Sequence, residues 1–444
     1  MQAGKEILAL NAFDGASAEA LDPALNEAVR RRLAHFGARS VLFYQQPIRM
    51  ARAEGVWMYD VDGRRYLDLY NNVPSVGHCH LRVAEAVARQ MAQLNVHSRY
   101  LSDIVDDYAE RLLATFPAPI RHVVLTCTGS EANDLALRIA QAATGGTGVV
   151  VTQSAYHGNT AAVTAVSPSS QPGKPLAPYV RAIPPPDGYR APTADLAARF
   201  AADLAAAIDD LERSGVRFSA LLLDSVFSSD GVFADPAGFL APAVETARRR
   251  GGLLIADEVQ PGFGRTGASM WGFARHGVVP DIVTLGKPMG NGFPMGGVAT
   301  RPDLLDRFTA QVKYFNTFGA NPVAAAAGLA VLDVIRDEKL IENAAATGAY
   351  LLEGLRALAN RHAAIGDVRG AGLFIGVELV RDRALKTPAP ELATAAINGL
   401  RREGVLIGAA GAFGNTLKIR PPLPFAREHA DQALAAFDAV LSRL

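Results

Sequence analysis

LLIADEVQPGFGRTG at residues 253–267 and DIVTLGKPMGNGFPMGG at residues 281–297 decide the fold class of this chain. Each begins with a short run rich in Leu, Ile and Val and passes at once into glycine, proline and polar residues, the pattern of a buried strand that ends at a loop. The same pattern recurs upstream as VVLT (123–126), GVVVT (148–152) and LLLD (221–224), with Ala/Leu/Arg-rich segments of helical period between the runs. Strands alternating with helices over residues 75–325 predict an α/β fold with a mainly parallel sheet.

Outward from that region the pattern changes on both sides. VWMYDVDGRRYLDL (56–69) alternates about Asp62-Gly63, a dipeptide suited to a tight hairpin turn, and residues 1–40 carry mixed helical patterning. After residue 325 come a long apolar helix, the hairpin-like GDVRGAGLFIGVEL (366–379), a helix, the strand TLKIR (416–420) and a final amphipathic helix. The expected organisation is a large domain over residues 75–325 and a smaller α+β domain over 326–444, with an N-terminal segment, 1–74, packing against the latter. SPSSQPGKPLAPYVRAIPPPDGYR (167–190) breaks the periodicity and reads as a surface excursion.

Composition narrows the function classes. The chain has 444 residues, 49% of them hydrophobic, enough for a core that needs no disulfide or metal staple. Its 44 basic and 44 acidic side chains cancel, so no long-range field favours nucleic acid or an anionic membrane. Cys79 and Cys127 form no CxxC pair, and the N-terminal stretch lacks a sustained apolar core of a secretory signal, which together predict a cytoplasmic protein. The most apolar stretch, 322–335, is shorter than a membrane span requires and reads as a buried helix. GHCH (77–80) offers His78 and His80, but no third ligand stands at suitable spacing, so no metal site is expected.

Chemistry concentrates at the ends of the strands. Of the seven lysines, Lys287 alone directly follows an apolar strand and lies among glycines, where a desolvated amine can attack an aldehyde. Read alone it serves equally as a lysine capping a sheet edge. Asp257 ends LLIAD, where a carboxylate faces the crevice in which α/β folds bind ligands, or else caps the next loop. Gly129 and Ser130 begin a helix whose apolar positions are Ala132, Leu135, Ala136 and Ile139; unpaired N–H groups there bind phosphate, unless Ser130 is a plain N-cap. Tyr156 and His157 follow the strand VVVT at the same sheet edge, where an aromatic face can stack on a ring or simply pack the rim. Thr317, in NTFGANP (316–322), can donate to a phosphate or cap a turn.

In this order, TGSEANDLALRIA, AYHG, ADEVQPGFGRTG, TLGKPMGNGFPMGG and NTFGANP resemble the ordered blocks of the class-III aminotransferases of pyridoxal 5′-phosphate (PLP) fold type I, over nearly the whole chain. NNVPSVGHCH (71–80) and RGAGLFIGVELVRD (369–382) point within that family to the subgroup of mitochondrial-type alanine-glyoxylate aminotransferases and ethanolamine-phosphate phospho-lyases. The resemblance implies a seven-stranded type of large-domain sheet between helices. It makes Lys287 the Schiff-base lysine, Asp257 the partner of the pyridine nitrogen and Tyr156 the stacking ring, with His157 beside it. Gly129 and Ser130 would hold the phosphate, Val259 would pack on the opposite ring face and Gln260 would lie near the phenolic oxygen. Thr317 would reach the phosphate of a neighbouring subunit, which implies a homodimer with shared sites. Arg420 matches the arginine that binds a substrate carboxylate as a bidentate fork.

The implied reaction moves an amino group from an amine or amino acid to a keto acid. The alternative is a phospho-lyase acting on a phosphorylated amino alcohol such as ethanolamine phosphate. Arg420 favours the first, because the phospho-lyases of the family carry lysine at that place. Two departures from the family's common patterns stand out: Ser229 occupies the place of a glutamate that pairs with the arginine in ω-amino acid aminotransferases. Asn159 stands where acetylornithine-type members have a substrate-binding arginine.

Overall fold

A computed structural model describes residues 11–14, 21–37 and 40–444. Most of the N-terminal stretch read for a signal peptide therefore lies outside the described residues.

The large sheet has seven strands in the spatial order His122–Thr126, Gly296–Thr300, Ile282–Leu285, Leu253–Asp257, Phe218–Leu223, Gly148–Thr152 and Val180–Ile183. Gly148–Thr152, Phe218–Leu223, Leu253–Asp257 and Ile282–Leu285 pair in parallel, whereas Gly296–Thr300 runs antiparallel to both of its neighbours. Every residue of Phe218–Leu223 and Gly148–Thr152 is buried, because helices cover both faces of a parallel sheet and leave no side for polar residues. The helix Gly129–Thr144 shows how such a cover forms. Ala132, Leu135, Ala136, Ile139 and Ala140 recur at helical spacing and are buried, each large side chain contributing about 1.5–3 kcal/mol. Thr128 caps its N-terminus by accepting from the Glu131 amide, and Gly145 in the left-handed conformation ends it.

Two sequence expectations need correction. The Pro/Gly/Ser segment 167–190 is not only a surface excursion: Val180–Ile183 within it is the edge strand of the large sheet, parallel to Gly148–Thr152, with Val180 and Ile183 buried. The prolines at 178 and 184–186 flank the strand instead of interrupting it, and an edge position tolerates them. The glycine-rich 286–297 stretch is also not all loop, since its last two residues open the antiparallel strand Gly296–Thr300.

The flanking hairpins form as their sequences predict. Trp57–Asp60 pairs antiparallel with Arg65–Asp68 around Gly63, whose φ of 81° suits glycine. Arg65–Asp68 also pairs in parallel with Val405–Leu406, which joins the two ends of the chain. Ile365–Ala371, Phe374–Asp382, Thr416–Ile419 and Gly408–Ala410 form a second, antiparallel sheet in that order. The apolar stretch 322–335 lies in the helix Pro322–Asp337, capped by Asn321 and largely buried. Among the described residues no helix is long and apolar enough to cross a membrane.

Candidate active site

The C-terminal ends of the parallel strands converge with the second sheet on a cavity of about 240 Å³ lined by Asn11, Phe43, Tyr70, Tyr156, Ser229, Gln260, Lys287, Gly408, Ala409, Lys418 and Arg420. Lys287 follows Ile282–Leu285 at the first position of a 3₁₀ turn, Lys287–Gly290, with φ of +34°. A non-glycine residue in that region is strained, and the turn holds it there. Burial and the nearby Arg420 guanidinium push the Lys287 ammonium down to about 8, against the opposing pull of Asp257 and Asp224. The uncharged amine, the form that attacks a carbonyl, is then about a tenth of the population at pH 7 against less than a thousandth for an ordinary lysine.

Asp257 ends the adjacent strand Leu253–Asp257 and is held from three directions. His157 Nδ1 lies 2.7 Å from Oδ2, Asn133 Nδ2 donates to the same oxygen at 3.0 Å, and the Val259 amide donates to Oδ1 at 3.1 Å. Asn133 is fixed in turn by donating to the His157 carbonyl at 2.8 Å and accepting from Thr284 Oγ1 at 2.8 Å. A carboxylate offers about four acceptor sites, so three donors leave one on Oδ1 for a further N–H. Glu258, next in sequence, points to the other side of the strand. It accepts from Ser225 Oγ, Gly272 N and Phe273 N at 2.7–2.9 Å, and burial raises its carboxyl to about 8. Glu258 thus anchors the loop, whereas Asp257 keeps an acceptor site free.

Gly129 and Ser130 are the first two residues of a helix of 16 residues, whose opening N–H groups have no intrahelical acceptor. The N-cap is Thr128, not Ser130. The Ser130 hydroxyl instead accepts from the Asn159 amide at 3.2 Å. Glycine is required at 129 by close approach: a Cβ there would stand 2.9 Å from Val259 Cγ2. At Gly158, φ is +139° and a Cβ would overlap Ser130 Oγ. The helix end, Val259 and the residues after Tyr156-His157 therefore form one closely fitted wall.

Arg420 is buried, donates to Gln260 Oε1 and lies 4.8 Å over the Tyr70 ring. Gln260 also donates to Ser228 Oγ at 2.6 Å. Ser229 reaches the cavity beside them. Thr317 does not line it; it is exposed in the loop between Gln311 and Pro322, beside Phe318, which is 72% exposed. His78 and His80 bond to Asp68 and Glu338 at 2.7 and 2.9 Å, and among the described residues no cluster that could hold a metal ion occurs.

Sequence reasoning singled out neither Lys418 nor the Asn133–His157 support of Asp257. The first was signalled by TLKIR, where positions 418 and 420 fall on one face of a strand. Asn133 had no such mark, because its partners lie 24 and 124 residues away in the chain.

PLP, the cofactor implied by the sequence, fits these residues: an amine of lowered pKa, a carboxylate with one acceptor site left, an aromatic ring at the cavity wall and a helix N-terminus for the phosphate. A family model described as aminotransferase class-III matches residues 41–441. An alanine–glyoxylate aminotransferase 2-like protein of Drosophila melanogaster is 40% identical over 94% of this chain and 87% of its own. An ethanolamine-phosphate phospho-lyase homolog of Caenorhabditis elegans is 38% identical over 94% and 93% of the two chains. A solved phospholyase from Arthrobacter in complex with phosphoethanolamine superposes with a TM-score of 0.91 at 44% identity, covering 94% of this chain and all of that one.

Proposed function

The chain belongs to the class-III aminotransferases, enzymes that use pyridoxal 5′-phosphate, and from that premise we propose that it moves an amino group from an amine or amino acid to a keto acid, with Lys287 as the amine that holds the cofactor. When bound, the cofactor supplies an electron sink that stabilises negative charge on the substrate α-carbon.

The protein's own residues do the rest. Asp257 accepts from the pyridine nitrogen through its remaining site, and the His157–Asn133 pair keeps the carboxylate aimed there. Tyr156 and Val259 would hold the cofactor ring, and Gly129 and Ser130 would hold its phosphate at the helix end. Gln260, which lines the cavity with Lys287, would meet the cofactor's phenolic oxygen. Lys287 would hold the cofactor through its amine, and its free amine would take the proton from the substrate α-carbon.

The observation that carries transamination is Arg420: a buried guanidinium whose partners are the neutral Gln260 and Tyr70, as a seat for a substrate carboxylate should be. Purified protein given an amino donor and no keto acid should convert its cofactor stoichiometrically to pyridoxamine phosphate, seen as loss of the visible absorbance band. The second reading, a phospho-lyase, is favoured by the likeness to the Arthrobacter enzyme. In that case the same α-proton is lost, the adjacent C–O bond breaks and inorganic phosphate appears from phosphoethanolamine with no keto acid required.

The shared site is proposed on Thr317, which does not line its own chain's cavity and lies in a loop with the exposed Phe315 and Phe318, where Phe315 and Tyr100 both pack on His97. A second copy covering that face forms a homodimer. The division into 1–74, 75–325 and 326–444 is proposed likewise, supported by the pairing of Arg65–Asp68 with Val405–Leu406.

A further inference from the structure

The Thr416–Ile419 strand brings a second cation to the cavity. Lys418 is 5% exposed and lines the same space as Lys287 and Arg420. Two positions apart along an extended chain, Lys418 and Arg420 project from the same face. The residues opposite Lys418 in register are Gly376 on one neighbouring strand and Gly408 on the other. Neither flanking strand therefore places a side chain beside it.

The partners of this lysine are sparse. Its Nζ donates to the Ser228 carbonyl at a long 3.4 Å. Among the described residues, neither Lys418 nor Arg420 forms an ion pair with a carboxylate. The acid whose charge Lys418 feels is Asp224, whose two oxygens already accept from the Val226 and Ser228 amides at 2.9 and 3.1 Å. Burial, Arg420 and Lys287 all push the Lys418 ammonium well below its ordinary range. A buried lysine beside the Arg420 guanidinium and without an ion-pair partner holds its proton most readily when an anion is bound beside it.

We propose that Lys418 is a specificity-determining residue: with Arg420 it forms a two-cation seat, so that the chain prefers substrates bearing two negative charges, on two carboxylates or on one phosphate ester, over monocarboxylates. This rests on the reading that Lys287 holds the cofactor in this cavity, and it adds the charge class of what binds above it.

Two measurements on the holoenzyme test it. In the first, malonate, inorganic phosphate and propionate are titrated by calorimetry into the wild type, Lys418→Met and Lys418→Arg. Malonate or phosphate should bind the wild type at least about tenfold tighter than propionate, lose about tenfold in Lys418→Met and stay within about threefold in Lys418→Arg. Equal affinities for all three ions in the wild type would overturn the seat, even if the methionine variant failed to fold. In the second, KM is compared for alanine, aspartate and phosphoethanolamine. A rise confined to aspartate assigns the seat to dicarboxylates, and one confined to phosphoethanolamine assigns it to a phosphate ester. A rise equal for alanine overturns the proposal. If no donor reacts while malonate still binds in a Lys418-dependent way, the transaminase reading fails and the seat stands.

Discussion

The two ends of the cavity are built differently. At the Lys287 end the groups are fixed by contacts among the helix Gly129–Thr144 and the loops that follow the parallel strands: Asp257 has three donors, Gly129 abuts Val259 and Ser130 holds the Asn159 amide. At the Arg420 end the cations Arg420 and Lys418 bond to neutral groups 160 and 190 residues away, and among the described residues neither has an ion-pair partner. A preorganised end suits a group that never leaves, whereas an end with unmatched charge suits one that exchanges each turnover. Substitutions at the first end should therefore affect all donors alike, and those at the second should separate them.

The largest expected effect is at Lys287. Lys287→Ala should cut turnover by at least ~10³-fold with every donor, because one residue both anchors the cofactor and moves the proton. Asp257→Asn should follow at roughly 10²-fold, again uniformly, by removing the charge that keeps the ring nitrogen protonated. If either variant spared one donor class, the division between the two ends would be wrong.

Arg420→Met should split the donors. A charged hydrogen bond is worth about 1.5–3 kcal/mol, so KM for carboxylate-bearing donors should rise roughly 10- to 100-fold while simple amines stay nearly unchanged. The same change removes a repulsive neighbour of Lys287, whose titration midpoint should move up from about 8. In the wild type, the rate at which apoprotein takes up the cofactor should climb about tenfold per pH unit below that midpoint and level off above it, as the free amine accumulates. In Arg420→Met the levelling should come at higher pH; an unmoved midpoint would show that the two ends are not coupled through charge.

The smallest effect probes steric fit. Gly129→Ala should weaken cofactor affinity by about tenfold through the overlap with Val259, and Val259→Ala added to it should recover most of the loss. Failure of the second change to rescue would locate the damage in the helix and not in the ring clamp.

How much of this was legible in the sequence follows the same division. Strands with continuous apolar runs announce themselves, and because ligands gather at their C-terminal ends, Asp257, Lys287 and the Gly129–Ser130 helix start stood out as candidates from local pattern, while their roles came from the ordered motifs that resemble the family. The edge strand Val180–Ile183 could not, since four residues among prolines carry little periodicity and owe their conformation to pairing with Gly148–Thr152. Nor could the support of Asp257 by His157 and Asn133, which depends on three segments meeting in space. Lys418 was visible only as a residue two places from Arg420; its lack of an ion-pair partner among the described residues is a property of the assembled cavity.

The most direct test of the whole assignment is borohydride reduction of the cofactor-loaded protein, followed by proteolysis and mapping of the fixed pyridoxyl group. The label should appear on the peptide that contains Lys287 and on no other. Label on a peptide without that residue, that of Lys418 above all, or a protein that takes up no cofactor, would contradict it.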